Sequence, residues 1–102
     1  MLPLQFTGTA QQAIDSLVEI LGEYPRVNVV ARKSDSLHVT FTSLLCRFVD
    51  DVEFEADTEH QLLHFRSASR LGYHDLGVNR KRMQQITQDL LQLDRFSLPK
   101  ES

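Results

Sequence analysis

Two segments decide the fold: Phe48-Val49-Asp50-Asp51-Val52-Glu53-Phe54-Glu55 and, after the polar run Asp57-Thr58-Glu59-His60, Leu62-Leu63-His64-Phe65-Arg66-Ser67-Ala68-Ser69. Apolar and polar side chains largely alternate through both. A period of two marks a strand with one buried face and one wet face. A short polar break rich in turn formers makes the pair an antiparallel hairpin. With 57–60 as the loop, Phe54 stands opposite Leu63 and Val52 opposite Phe65. The same register sets Asp50 opposite Ser67 and Phe48 opposite Ser69 on the core side. It sets Asp51 opposite Arg66 and Glu53 opposite His64 on the outer side.

Upstream, Leu37, Val39 and Phe41 alternate with His38, Thr40 and Thr42. Val27, Val29 and Ala31 alternate with Asn28, Val30 and Arg32, and the polar Lys33-Ser34-Asp35-Ser36 joins these two strands as a second hairpin. Leu2, Leu4 and Phe6 form a first short strand, with Pro3 suited to its start or to a sheet edge. Thr9-Ala10-Gln11-Gln12 reads as a capping box. Ala10, Ala13, Ile14, Leu17, Val18 and Leu21 follow at helical spacing until Gly22 and Pro25 end the helix. Downstream, a glycine-bearing loop, Gly72 to Gly77, leads into a second helix, Val78 to Leu93, with the stripe Met83, Ile86, Leu90 and Leu93.

The order is β-α-β-β-β-β-α. Short turns between sequential strands imply a mainly antiparallel sheet, and one apolar face per strand implies both helices on one side. The expected class is α+β, a two-layer sandwich. Residues 1–97 form a single domain and 98–102 a loose C-terminal tail.

Composition narrows the function classes. The chain has 102 residues, a net charge of −3 and one cysteine, Cys46. The size fits one domain, and the charge argues against a general nucleic-acid or anionic-membrane binder. A lone cysteine permits no intramolecular disulfide, which fits the cytoplasm. The first residues carry no basic, then apolar, leader pattern, and no run is long enough to span a membrane.

The segment Arg66-Ser67-Ala68-Ser69-Arg70-Leu71-Gly72-Tyr73-His74-Asp75-Leu76-Gly77-Val78-Asn79-Arg80-Lys81-Arg82 resembles the signature of family 1499 of the domains of unknown function. The matching positions are Ser67, Ser69, Arg70, Gly72, Asp75, Gly77, Asn79, Arg80 and Arg82. Arg47 to Phe54, with its paired aspartates, is similar to the family's second signature, and the likeness runs from about Ala10 to Leu91. Relatives often carry a further segment with an asparagine-cysteine pair ahead of the first helix, which is absent here. The resemblance implies no reaction.

Helical arithmetic places Asn79 in the middle of the second helix's stripe and Arg82 about 60° to one side. Asp50, Ser67, Ser69, Asn79 and Arg82 are therefore expected to converge between that helix and the sheet. An inward aspartate needs partners, and Arg82 suits it. Two readings stay open. In one, Asp50 and Arg82 lock the helix onto the sheet. In the other, Arg66, Arg70 and Arg80, with backbone amides near Val78 and Asn79, receive a phosphate or carboxylate.

The basic run Arg80-Lys81-Arg82 is offset by Asp50, Asp51, Glu53 and Glu55, which argues against direct nucleic-acid binding. His74-Asp75 shows no triad spacing and His38, His60 and His64 no recognisable metal spacing. Cys46 reads as an inert buried thiol. No catalytic residue, metal ligand or cofactor is assigned. The favoured reading is a non-enzymatic binding or protein-interaction module, whose partner is another protein, a further copy of the chain, or a small anionic ligand. The alternative is an enzyme acting on a phosphorylated or carboxylated small molecule at the loop before the second helix.

Overall fold

The computed structural model describes residues 3–42, 49–69 and 76–99. Its elements in chain order are β1 (Leu4–Phe6), α1 (Ala10–Leu21), β2 (Val27–Arg32), β3 (Ser36–Thr42), β4 (Val49–Asp57), β5 (Leu62–Ser69), α2 (Leu76–Leu91) and β6 (Phe96–Ser97). Among the described residues six strands form one sheet in the order β2-β3-β4-β5-β1-β6, with every pairing antiparallel. The class is α+β, with both helices packed into one core against the same sheet face.

The inner face is built from the alternating positions. Leu37 stands across from Phe54 and Val39 across from Val52, all nearly fully buried. Ile14, Leu17 and Leu21 of α1 and Met83, Ile86 and Leu90 of α2 close over them. The start of α1 is a complete capping box: Thr9 Oγ1 accepts from the Gln12 amide at 3.1 Å, and Gln12 Oε1 accepts from the Thr9 amide at 2.9 Å.

The β4–β5 register differs from the expected one by two residues. Phe54 faces Phe65, Val52 faces Ser67, Glu53 faces Arg66 and Asp50 faces Ser69. The loop still has four residues, but it is 58–61, because Asp57 stays in the ladder opposite Leu62. Asp57 Oδ1 accepts from the amides of Glu59 and His60 at 3.0 and 3.3 Å, and Gln61 closes the turn at φ 56°. A shift of two leaves every side chain on its face, so apolar matching alone does not detect it.

Other departures are local. Gly22 caps α1 at φ −62°, with the tight bonds Glu23 N to Ile20 O and Tyr24 N to Leu21 O completing the stop. It needs no left-handed geometry; Arg26 adopts that instead, at φ 57°. α2 begins at Leu76, so Gly77 lies inside its first turn rather than in the preceding loop. α2 ends at Leu91, which leaves Leu93 36 % exposed in the next turn, and the buried place falls to Phe96 of the added strand β6. Thr40, expected on a wet face, is buried. β2 carries a bulge between Val29 and Ala31.

Candidate functional site

Alternation along β4 turns Asp50 inward and Asp51 outward, and the two aspartates enter different surroundings. Asp50 Oδ2 accepts from Arg82 Nη1 at 2.9 Å, and the two side chains are only 12 % and 14 % exposed. The Arg82 guanidinium lies over the Phe41 ring, 4.6 Å from its centroid. Phe41 sits opposite Asp50 on the neighbouring strand, so one strand supplies the carboxylate and the next the π face. Tyr24 packs edge-on to Phe41, with ring centroids 6.3 Å apart. Its hydroxyl donates to Asp89 Oδ2, and Gln85 donates to Asp89 Oδ1 at 3.0 Å. Burial, then the Asp89 hydrogen bond, pushes the Tyr24 hydroxyl pKa well above its ordinary value. A chain of contacts thus runs from β4 through β3 to the loop after α1 and back to α2. It is a joint between layers.

Among the other residues singled out from sequence, Ser67 is exposed, opposite Val52, and it has a partner. Arg66 lies on the outer face opposite Glu53, and so on the other side of the sheet from Arg82. Arg70 lies outside the described residues, as do Arg47, Phe48, Cys46, Gly72, His74 and Asp75. The side chains of Ser69, Val78, Asn79 and Arg80 lie outside the described part of the structure, although their backbones belong to β5 and α2. The earlier start of α2 moves its unpaired first-turn amides toward Leu76–Val78.

The outer sheet face carries the polar groups that alternation places there, in pairings other than the expected ones. Asp51, expected beside Arg66, instead meets His38 on β3, whose Nε2 is 2.8 Å from Asp51 Oδ1. The cause is again the register, which puts Glu53 between His38 and Arg66. His38, Glu53, Glu55, His64 and Arg66 line an open cavity of about 240 Å³. At its end, Asp57 Oδ2 is 2.8 Å from His60 Nδ1 and 3.9 Å from His64 Nε2. The His60 hydrogen bond, aided by the amides of His60 and Glu59, holds the Asp57 carboxyl below the usual carboxylate range. The hairpin turn makes this cluster from residues 57–64, and the three residues between His60 and His64 are a spacing seen in metal sites that the sequence reading passed over.

The sequence profile of the family described as "Protein of unknown function (DUF1499)" matches residues 1–90. The chain belongs to this family. The DUF1499 match spans the cap, both hairpins and nearly all of α2, so the inner joint and the outer face both lie within the family's own region. No curated protein and no solved structure matches the chain. The DUF1499 description carries no reaction, so function must be argued from the surface itself.

Proposed function

We propose that this DUF1499 chain is a cytoplasmic, non-enzymatic interaction module that takes an extended acidic segment of a partner protein along β2. The observation that carries this reading is the free edge. β2 pairs only with β3 among the described residues, and Val29 and Val30 are 54 % and 52 % exposed on it. An edge strand offers unpaired amides and carbonyls to an incoming strand, and exposed β-branched side chains add apolar contact. Arg26, Arg32 and Lys33 flank the valines, although Arg32 is already engaged by Asp15. Self-pairing is opposed by charge. An antiparallel two-fold between Val29 and Val30 sets Arg26 against Lys33. An acidic extended segment meets the same cations favourably. The cytoplasmic assignment rests on the single cysteine. Among the described residues no helix is long and apolar enough to cross a membrane.

Selection of displayed random heptapeptides against the untagged chain, followed by amide chemical-shift mapping, tests this. Enrichment of Asp or Glu among β-branched residues is expected, with shifts confined to 26–33, binding weakened by salt and abolished by Val30→Asp. Shifts mapping elsewhere, or a dimer formed through 26–33, would overturn it.

A further inference from the structure

We infer that the β4–β5 turn is a binding site for a borderline divalent transition metal, zinc above all, with Asp57, Glu59, His60 and His64 as ligands. One donor atom from each of Asp57, Glu59 and His60 lies within 4.8 Å of the others. His64 Nε2, from the following strand, stands 3.9 Å from the same Asp57 Oδ2 that His60 Nδ1 approaches at 2.8 Å. Two imidazoles from two different elements therefore converge on one carboxylate oxygen. In a tetrahedral zinc site, bonds near 2.0–2.1 Å put neighbouring donors about 3.3 Å apart. The two His–Asp distances bracket that value.

The geometry has an outer layer as well. Asp57 Oδ1 is held by the amides of Glu59 and His60, which leaves Oδ2 turned toward the imidazoles. Metal-binding carboxylates are commonly oriented in this way by a second set of hydrogen bonds. His60 and His64 are 66 % and 48 % exposed, which leaves both side chains room to rotate toward the carboxylate. Two carboxylates balance a dication, and two imidazoles with two carboxylates suit zinc better than magnesium or calcium, which prefer all-oxygen shells. Glu55, across from His64, adds negative potential beside the site.

The test is calorimetric titration of the full untagged chain with zinc chloride, with melting curves in parallel. One zinc per chain and a raised melting temperature are expected, with magnesium and calcium giving neither. His60→Ala and His64→Ala should each weaken zinc by about tenfold or more. Asp57→Asn should do the same while keeping an oxygen for the turn amides. His38→Ala and Cys46→Ser should bind as the parent does, and far-UV circular dichroism should show every variant folded. No heat and no melting shift with zinc, or loss in His38→Ala or Cys46→Ser without loss in His60→Ala and His64→Ala, would overturn the site. Equal binding of magnesium would overturn the donor-class argument.

Discussion

Removing the carboxylate of Asp50 should destabilise the domain far more than removing that of its neighbour Asp51. Asp50→Ala leaves the Arg82 guanidinium, 14 % exposed, without the partner 2.9 Å away. Breaking a buried pair from one side costs about 3–5 kcal/mol, because the remaining charge has already lost its water. Arg82 keeps the Phe41 ring and another interaction. A cation over a ring is worth roughly 0.5–2 kcal/mol, so the expected loss lies at the lower end, near 3 kcal/mol. For a domain of this size that is a fall of about 12–24 °C in Tm. Asp51→Ala breaks a pair whose side chains are 23–29 % exposed, and about 0–1 kcal/mol is expected. Urea unfolding followed by far-UV circular dichroism reads both, since the chain has no tryptophan. A double variant, Asp50→Leu with Arg82→Met, should recover most of the loss, because replacing both charges removes the desolvation cost as well. Equal midpoints for Asp50→Ala and Asp51→Ala at equal denaturant slopes would refute the inner and outer assignment.

Two further outcomes follow from named contacts. The Tyr24 pKa is raised on folding, so its contribution is complete below the unfolded value of about 10 and is lost as pH rises above it; urea midpoints should fall above that pH, and Tyr24→Phe should flatten the fall at a neutral-pH cost of about 1–2 kcal/mol. Gly8 sits at φ +92°, where an added Cβ would lie 2.3 Å from Arg95 Nη1 and 2.3 Å from Gln12 Oε1, so Gly8→Ala should cost about 1–3 kcal/mol; Gly22→Ala, at φ −62° with a nearest neighbour at 3.4 Å, should change stability by less than about 1 kcal/mol. A Gly22→Ala loss as large as that of Gly8→Ala would contradict the cap geometry.

The parts of the fold that were legible are those written in periodicity. Alternation turned Asp50 inward, and the Thr9–Gln12 box marked the start of α1. What alternation does not carry is register. Phe54 finds an apolar partner in Leu63 or in Phe65, and only the backbone of the turn chooses between them. Here Asp57 captures the Glu59 and His60 amides, and Gln61 takes the left-handed conformation. The β6 strand escaped for a different reason: two residues show no period, and burial of Phe96 depends on docking beside β1. Leu93 fits the helical stripe on paper but falls beyond the end of α2. Pairings across strands, such as His38 with Asp51, depend on the register and could not precede it.

The inner and outer faces therefore make different demands on a ligand. An anion seeking Arg82 must compete with Asp50 in a nearly closed joint, so its entry carries the cost of breaking that pair. The perimeter imposes no such exchange. The backbone groups on the free side of β2 face away from β3, and a strand laid beside them would replace water with new hydrogen bonds on either side of the bulge between Val29 and Ala31. A cation at the proposed site between the β4–β5 turn and His64 would likewise surrender no interior contact, because His60 and Glu59 are exposed and Asp57 would keep its two backbone amides. Among the described residues the Asp50–Arg82 pair joins the layers, whereas the open backbone edge of β2 and the exposed His60 and Glu59 lie at the rim, so the proposed ligands would bind there without breaking that pair.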